Sequence, residues 1–259
     1  MRKLKDLRDH FFFGRMASYR LPSGHRRIYF HHIRRTGGTS LSQMFLLAAS
    51  GADPSRGDRL WSGLWAAHRH RLHFDGKVFV AGEKKLIEEG RYFYAVSHLP
   101  AHELVLPEAT YTITCLRDPV KRVLSHYNLL LGERDNGGQA FRKEGHWLGA
   151  GFDDFLENIP VEHLLRQLYM FSPNYDPDEA FAAIASCSFW FFTEELPAPA
   201  SVLSSQVGLD LRPFVANRSS AQAIITQDQM RLLKKLLRPE IELYQRLKAV
   251  RRAARSLAA

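Results

Sequence analysis

Short runs of β-branched and aromatic residues alternate along the chain with longer stretches whose apolar positions recur every three to four residues. Five runs read as strands: Arg27–Ile33, Lys77–Ala81, Tyr92–Ser97, Thr110–Leu116 and Ser188–Thr193. Helices are expected over 39–50, closed by Gly51, and over 83–89, closed by Gly90. Asp118 and Pro119 suit the cap and first turn of a third helix, with Gly132 just past its end. Further helices are expected near 153–158, 161–171, 177–186 and 199–207. A long final helix is expected over 226–250, kinked at Pro239. Residues 52–76 read as irregular, and 133–151 as a Gly-rich loop holding Arg134, Arg142, Lys143, His146 and Trp147.

Strands separated by helices imply an α/β fold: a central, mostly parallel sheet of about five strands with helices on both faces. Such sheets bind ligands outside the carboxyl ends of their strands. That rule singles out Arg34 to Ser40, Gly82 and Glu83, His98, Arg117 and Asp118, and Glu194 and Glu195.

The chain has 259 residues, enough for one large domain over 1–259. No apolar run approaches the roughly 20 residues of a membrane span, so a cytoplasmic protein is expected. Two cysteines, Cys115 and Cys187, cannot make a disulfide framework and read as buried reduced thiols. The net charge of +9 sits at the ends, because 1–35 hold ten Lys/Arg against two Asp/Glu and 231–259 hold nine against two. The basic extension 1–25 and the C-terminal helical region 226–259 could meet a polyanion or a lipid surface, or simply face solvent.

The turn Ile33-Arg34-Arg35-Thr36-Gly37-Gly38-Thr39-Ser40 joins a strand to a helix. Adjacent glycines let several backbone N–H groups point at one anion; Thr36, Thr39 and Ser40 add hydroxyls, and Arg34 and Arg35 add charge. A Gly-Gly pair also serves a plain tight turn, so both readings stand at this point. It is not a Walker A loop, which needs Gly, four residues, then Gly-Lys-Ser/Thr.

The stretch from Phe30 to Leu41 resembles the 5′-phosphosulfate loop of sulfotransferases, most of all the branch that sulfates carbohydrates, where it reads roughly His-Ile-Pro-Lys-Thr-Gly-Gly-Thr-Ser. Arg34 stands at the proline of that pattern and Arg35 at its lysine. A second stretch, Thr112 to Tyr127, resembles the family's 3′-phosphate segment: a strand ending in Arg117-Asp118-Pro119, then Val120, Arg122, Ser125 and Tyr127 at the family spacing. Ser97-His98-Leu99-Pro100 is similar to the segment bearing the catalytic histidine of small-molecule sulfotransferases. Residues 216–220 resemble a loop that closes over the nucleotide, with Arg218 the contact.

The resemblance implies a P-loop-like three-layer sandwich and transfer of a sulfuryl group from 3′-phosphoadenosine 5′-phosphosulfate to a hydroxyl of a carbohydrate or glycolipid, without a metal. It implies His98 as base, with Glu83, His102 and His32 in reserve, and Arg35 at the leaving group. Arg34, Arg35, Thr36, Gly37, Gly38, Thr39, Ser40, Arg117, Ser125 and Arg218 would hold the donor. His68-Arg-His-Arg-Leu-His73 has histidines at metal-like spacing, but its arginines oppose a dication; with Trp61 and Trp65 it suits an acceptor groove or plain surface. Two alternatives stay open: a Mg-dependent P-loop kinase or nucleotide phosphotransferase, and a non-enzymatic nucleic-acid-binding protein using its basic ends. The acceptor could itself be anionic. The first reading needs no specific nucleic acid and no membrane span, and leaves peripheral membrane association open.

Overall fold

A computed structural model describes residues 19–66, 70–196, 198–213 and 223–258. In chain order its strands are β1 (Arg27–His31), β2 (Arg71–Phe74), β3 (Lys77–Ala81), β4 (Tyr94–Ser97), β5 (Thr110–Leu116) and β6 (Phe189–Phe192). Its helices are α1 (Gly38–Ser50), α2 (Gly57–Ala66), α3 (Lys84–Glu89), α4 (Pro119–Arg134), α5 (Gln139–Glu144), α6 (Phe152–Asn158), α7 (Val161–Leu164), α8 (Arg166–Tyr169), α9 (Pro177–Ala185), α10 (Ala198–Val207), α11 (Gln227–Leu236) and α12 (Arg238–Ala258). The fold is α/β, a mostly parallel sheet flanked by helices.

The described chain divides into two compact units: residues 19–32, 37–115 and 186–213, and residues 33–36, 116–185 and 223–258. The first holds the sheet, in the order β2-β3-β4-β1-β5-β6. β1 runs parallel to both β4 and β5, and β3 parallel to β4, while β2 is antiparallel to β3. β1, β3 and β4 are buried on both faces, which is why they read as nearly continuous apolar runs rather than as alternation. Ile28, Phe30, Phe79, Ala81, Tyr94 and Val96 point to one face, with Leu41, Met44 and Phe45 of α1, Leu64 of α2 and Leu203 of α10. The intervening Tyr29, Val78, Val80 and Ala95 point to the other, with Ile87 of α3.

Among the described residues six strands form where about five are expected, because β2 lies in the segment read as irregular, as α2 does. In β2 only the alternate residues Leu72 and Phe74 pack on the core, too short a pattern to separate from loop. The third strand starts at Tyr94 rather than Tyr92, although Tyr92 is still buried.

The second unit is helical. Asp118 caps α4 by accepting the Lys121 N–H at 3.0 Å, and Pro119 occupies the first turn, as read from the sequence. Gly132 does not end this helix, which runs to Arg134. The expected loop 133–151 carries α5 and a short 3₁₀ turn at Gly145–Leu148, where Trp147 and Leu148 are buried. The expected final helix is two: α11, opened by a capping box between Thr226 and Gln229, and α12. Pro239 breaks the helix rather than kinking it, lying in the first turn of α12 where a missing N–H costs nothing. No helix among the described residues is long and apolar enough to cross a membrane.

Candidate functional site

In the second unit, two segments far apart in the sequence converge. Arg35 adopts a left-handed backbone, φ 69°. Its guanidinium donates to Ser125 Oγ on α4 through Nε at 3.1 Å and a terminal nitrogen at 2.8 Å. Arg117, at the end of β5, donates to the Arg35 carbonyl at 3.0 Å. Burial, and then the neighbouring charges of Arg117 and Arg34, lower Arg35 to about 10, so it still carries its charge at neutral pH. Among the described residues no carboxylate lies within ion-pair distance of Arg35 or Arg117. Glu133 acts on Arg35 only from beyond ion-pair distance, and two half-buried guanidiniums beside a hydroxyl have the chemistry to hold an anion.

Arg34 behaves differently. It makes a two-pronged ion pair with Glu144, one prong at 3.1 Å, and His126 Nε2 bonds the same carboxylate at 2.8 Å. Burial alone would raise the Glu144 carboxyl, but hydrogen bonds from His126 and Arg34 and the Arg34 charge hold it down at about 2. Burial lowers His126 to about 4, so its neutral ring is the donor. Nothing in the sequence singled out Glu144, which lies in the segment read as loop. Thr36 is fully buried, and its hydroxyl donates to the Ile33 carbonyl at 2.8 Å, closing the turn.

The first unit takes up the chain at Gly37. Gly37 has φ 82° and stands at the cap of α1, and no side chain caps the first turn. Thr39 is half-buried and Ser40 buried in that turn. Gly38 is required by contact: a Cβ there would stand 2.1 Å from His32 Cδ2 and 2.8 Å from Phe30 Cε1. So the two glycines meet different demands, a left-handed turn and a close approach.

His98 follows β4 in the same unit. Its Nδ1 lies 2.7 Å from the His32 carbonyl, which can only accept, so Nδ1 carries the hydrogen and the neutral ring has its lone pair on Nε2. Trp65 stacks on the imidazole at 5.4 Å, His32 lies 4.5 Å away, and Trp61 packs on both Trp65 and His32. Ser97 Oγ takes the Leu99 N–H at 3.1 Å, fixing the turn that presents His98. Of the reserve bases, His32 is buried against Phe30, His102 is exposed on a 3₁₀ turn, and Glu83 is half-buried at the start of α3. Arg218 lies outside the described residues. Among the described residues no group of three or more His, Cys, Asp or Glu could hold a metal ion.

No protein-family model matches the chain, and no curated protein matches it by sequence.

Proposed function

We propose that the protein is a sulfotransferase using 3′-phosphoadenosine 5′-phosphosulfate, acting on a hydroxyl of a carbohydrate or glycolipid. The observation that carries the reading is the meeting of Arg35, Arg117 and Ser125: residues of both phosphate-like segments share one cluster, and among the described residues neither arginine is ion-paired to a carboxylate. Arg117 and Ser125 would hold the 3′-phosphate. Arg35 would hold the 5′ end of the donor.

His98 Nε2 takes the acceptor's hydroxyl proton, and the acceptor oxygen forms its bond to sulfur. The bond from sulfur to the bridging oxygen breaks, and that oxygen leaves on adenosine 3′,5′-bisphosphate with the electron pair. Arg35 stabilises the charge that grows there. Fixed cations and amide dipoles serve this purpose much as they do in phosphoryl transfer. Half-buried Trp61 and Trp65 beside His98 offer apolar faces that suit a sugar ring. The same reading takes the protein as cytoplasmic.

The test is calorimetry with adenosine 3′,5′-bisphosphate against ATP with Mg²⁺. Binding of the first and not the second is expected. Arg117→Ala should weaken that binding, and His98→Ala should leave it intact while abolishing sulfuryl transfer. Preference for ATP-Mg would overturn the reading in favour of a kinase.

A further inference from the structure

The second unit contains a buried polar chain that no motif announces. Gln167, 1% exposed on α8, brackets the backbone of Arg117: its Oε1 accepts the Arg117 N–H at 2.9 Å and its Nε2 donates to the Arg117 carbonyl at 3.0 Å. The same Nε2 donates to Glu240 Oε1 at 2.9 Å, and the Gln167 backbone N–H reaches Glu240 Oε2 at 2.9 Å. Glu240 is fully buried in the first turn of α12, and Arg122 donates to it through Nε at 3.3 Å. Arg122 also donates to the carbonyls of His163, at 3.1 Å, and Leu164. On α4, Arg122 lies three positions before Ser125, one helical turn away.

One carboxylate therefore ties two things together: the helix that carries Ser125, through Arg122, and the backbone that carries Arg117, through Gln167. We infer that Gln167 and Glu240 are positioning residues that set the spacing between Arg117 and Ser125, and so give the protein its selectivity for a 3′-phosphorylated nucleotide. This rests on the donor reading above. The physical basis is that a bracketed peptide cannot turn without breaking hydrogen bonds to groups that water cannot reach. A guanidinium carried on a loosened peptide loses the orientation that two-pronged phosphate binding needs.

The experiment is calorimetry of the full chain with adenosine 3′,5′-bisphosphate and with adenosine 5′-monophosphate, which lacks the 3′ group. In Gln167→Met the preference for the bisphosphate should fall tenfold or more, with monophosphate affinity unchanged. Placed on Arg117→Ala, the same substitution should add nothing, because it acts through Arg117. Gln167→Asn, one methylene too short to reach both partners, should behave like Gln167→Met and serves if that variant does not fold. An unchanged preference, or equal loss of affinity for both nucleotides, would overturn the inference. A wild-type protein indifferent to the 3′-phosphate would overturn the donor reading itself.

Discussion

Gly38 offers the sharpest check on the turn after β1, because two arguments give its substitution opposite signs. By helix propensity, Gly38→Ala in the first turn of α1 should stabilise, by up to about 1 kcal/mol. The packing says otherwise. The added Cβ would lie 2.1 Å from His32 Cδ2, 2.4 Å from His32 Nε2 and 2.8 Å from Phe30 Cε1, where carbon contacts normally rest at roughly 3.5–4.0 Å. The imidazole cannot swing aside, because it stacks on Phe30 at 5.2 Å and touches His98 and Trp61, and it is 4% exposed. Overpacking of this kind costs about 1–3 kcal/mol, and three colliding atoms on two buried rings put Gly38→Ala at the top of that range. The expected fall in melting temperature is roughly 6–12 °C. Gly37→Ala should cost less, about 1–2 kcal/mol for its left-handed backbone, since the nearest neighbour, Thr193 Cγ2 at 3.0 Å, is a side-chain tip that can yield. Melts followed by circular dichroism would rank wild type, Gly37→Ala and Gly38→Ala. In a His32→Ala background the penalty of Gly38→Ala should shrink to what the Phe30 contact alone imposes. A Gly38→Ala protein as stable as wild type, or one equally damaged without the His32 ring, would refute the reasoning.

Two further outcomes are expected. Burial lowers both His31 and His126 to about 4, so between about pH 6.5 and pH 4 the unfolded chain binds protons that the folded one refuses. Stability should therefore fall with acidity by up to ~1.4 kcal/mol per pH unit for each histidine, and His126→Gln should flatten the slope; a melting temperature that stays level from pH 7 to pH 4.5 would contradict this. Cys115 is buried and burial raises Cys187 to about 12, so a thiol reagent at neutral pH should label neither until the protein is denatured; prompt reaction of the native protein would show that these thiols are accessible.

The sheet was legible because its evidence is local. Among the described residues every strand but β2 is rich in β-branched, aromatic or other apolar residues, with four apolar in a row in β3 and β6; α1 and α3 end at glycines, and Asp-Pro opens α4. What stayed hidden depends on tertiary context. β2 has only two core-facing side chains, and α5 is a single turn or so, held where Glu144 meets Arg34 and His126. The contrast between the two arginines of the turn has the same origin. In the sequence Arg34 and Arg35 are adjacent cations, both expected to hold the donor and Arg35 alone at the leaving group. In the fold the left-handed backbone of Arg35 sends its guanidinium to Ser125, while Arg34 meets a carboxylate contributed from more than a hundred residues away. A buried arginine already paired with a carboxylate gains much less from a phosphate than an uncompensated one, because its charge is balanced and its donors are engaged. On the proposed donor reading, adjacent residues of one type thus divide between framework and ligand, and the backbone of Arg35 and the position of Glu144 together decide which is which.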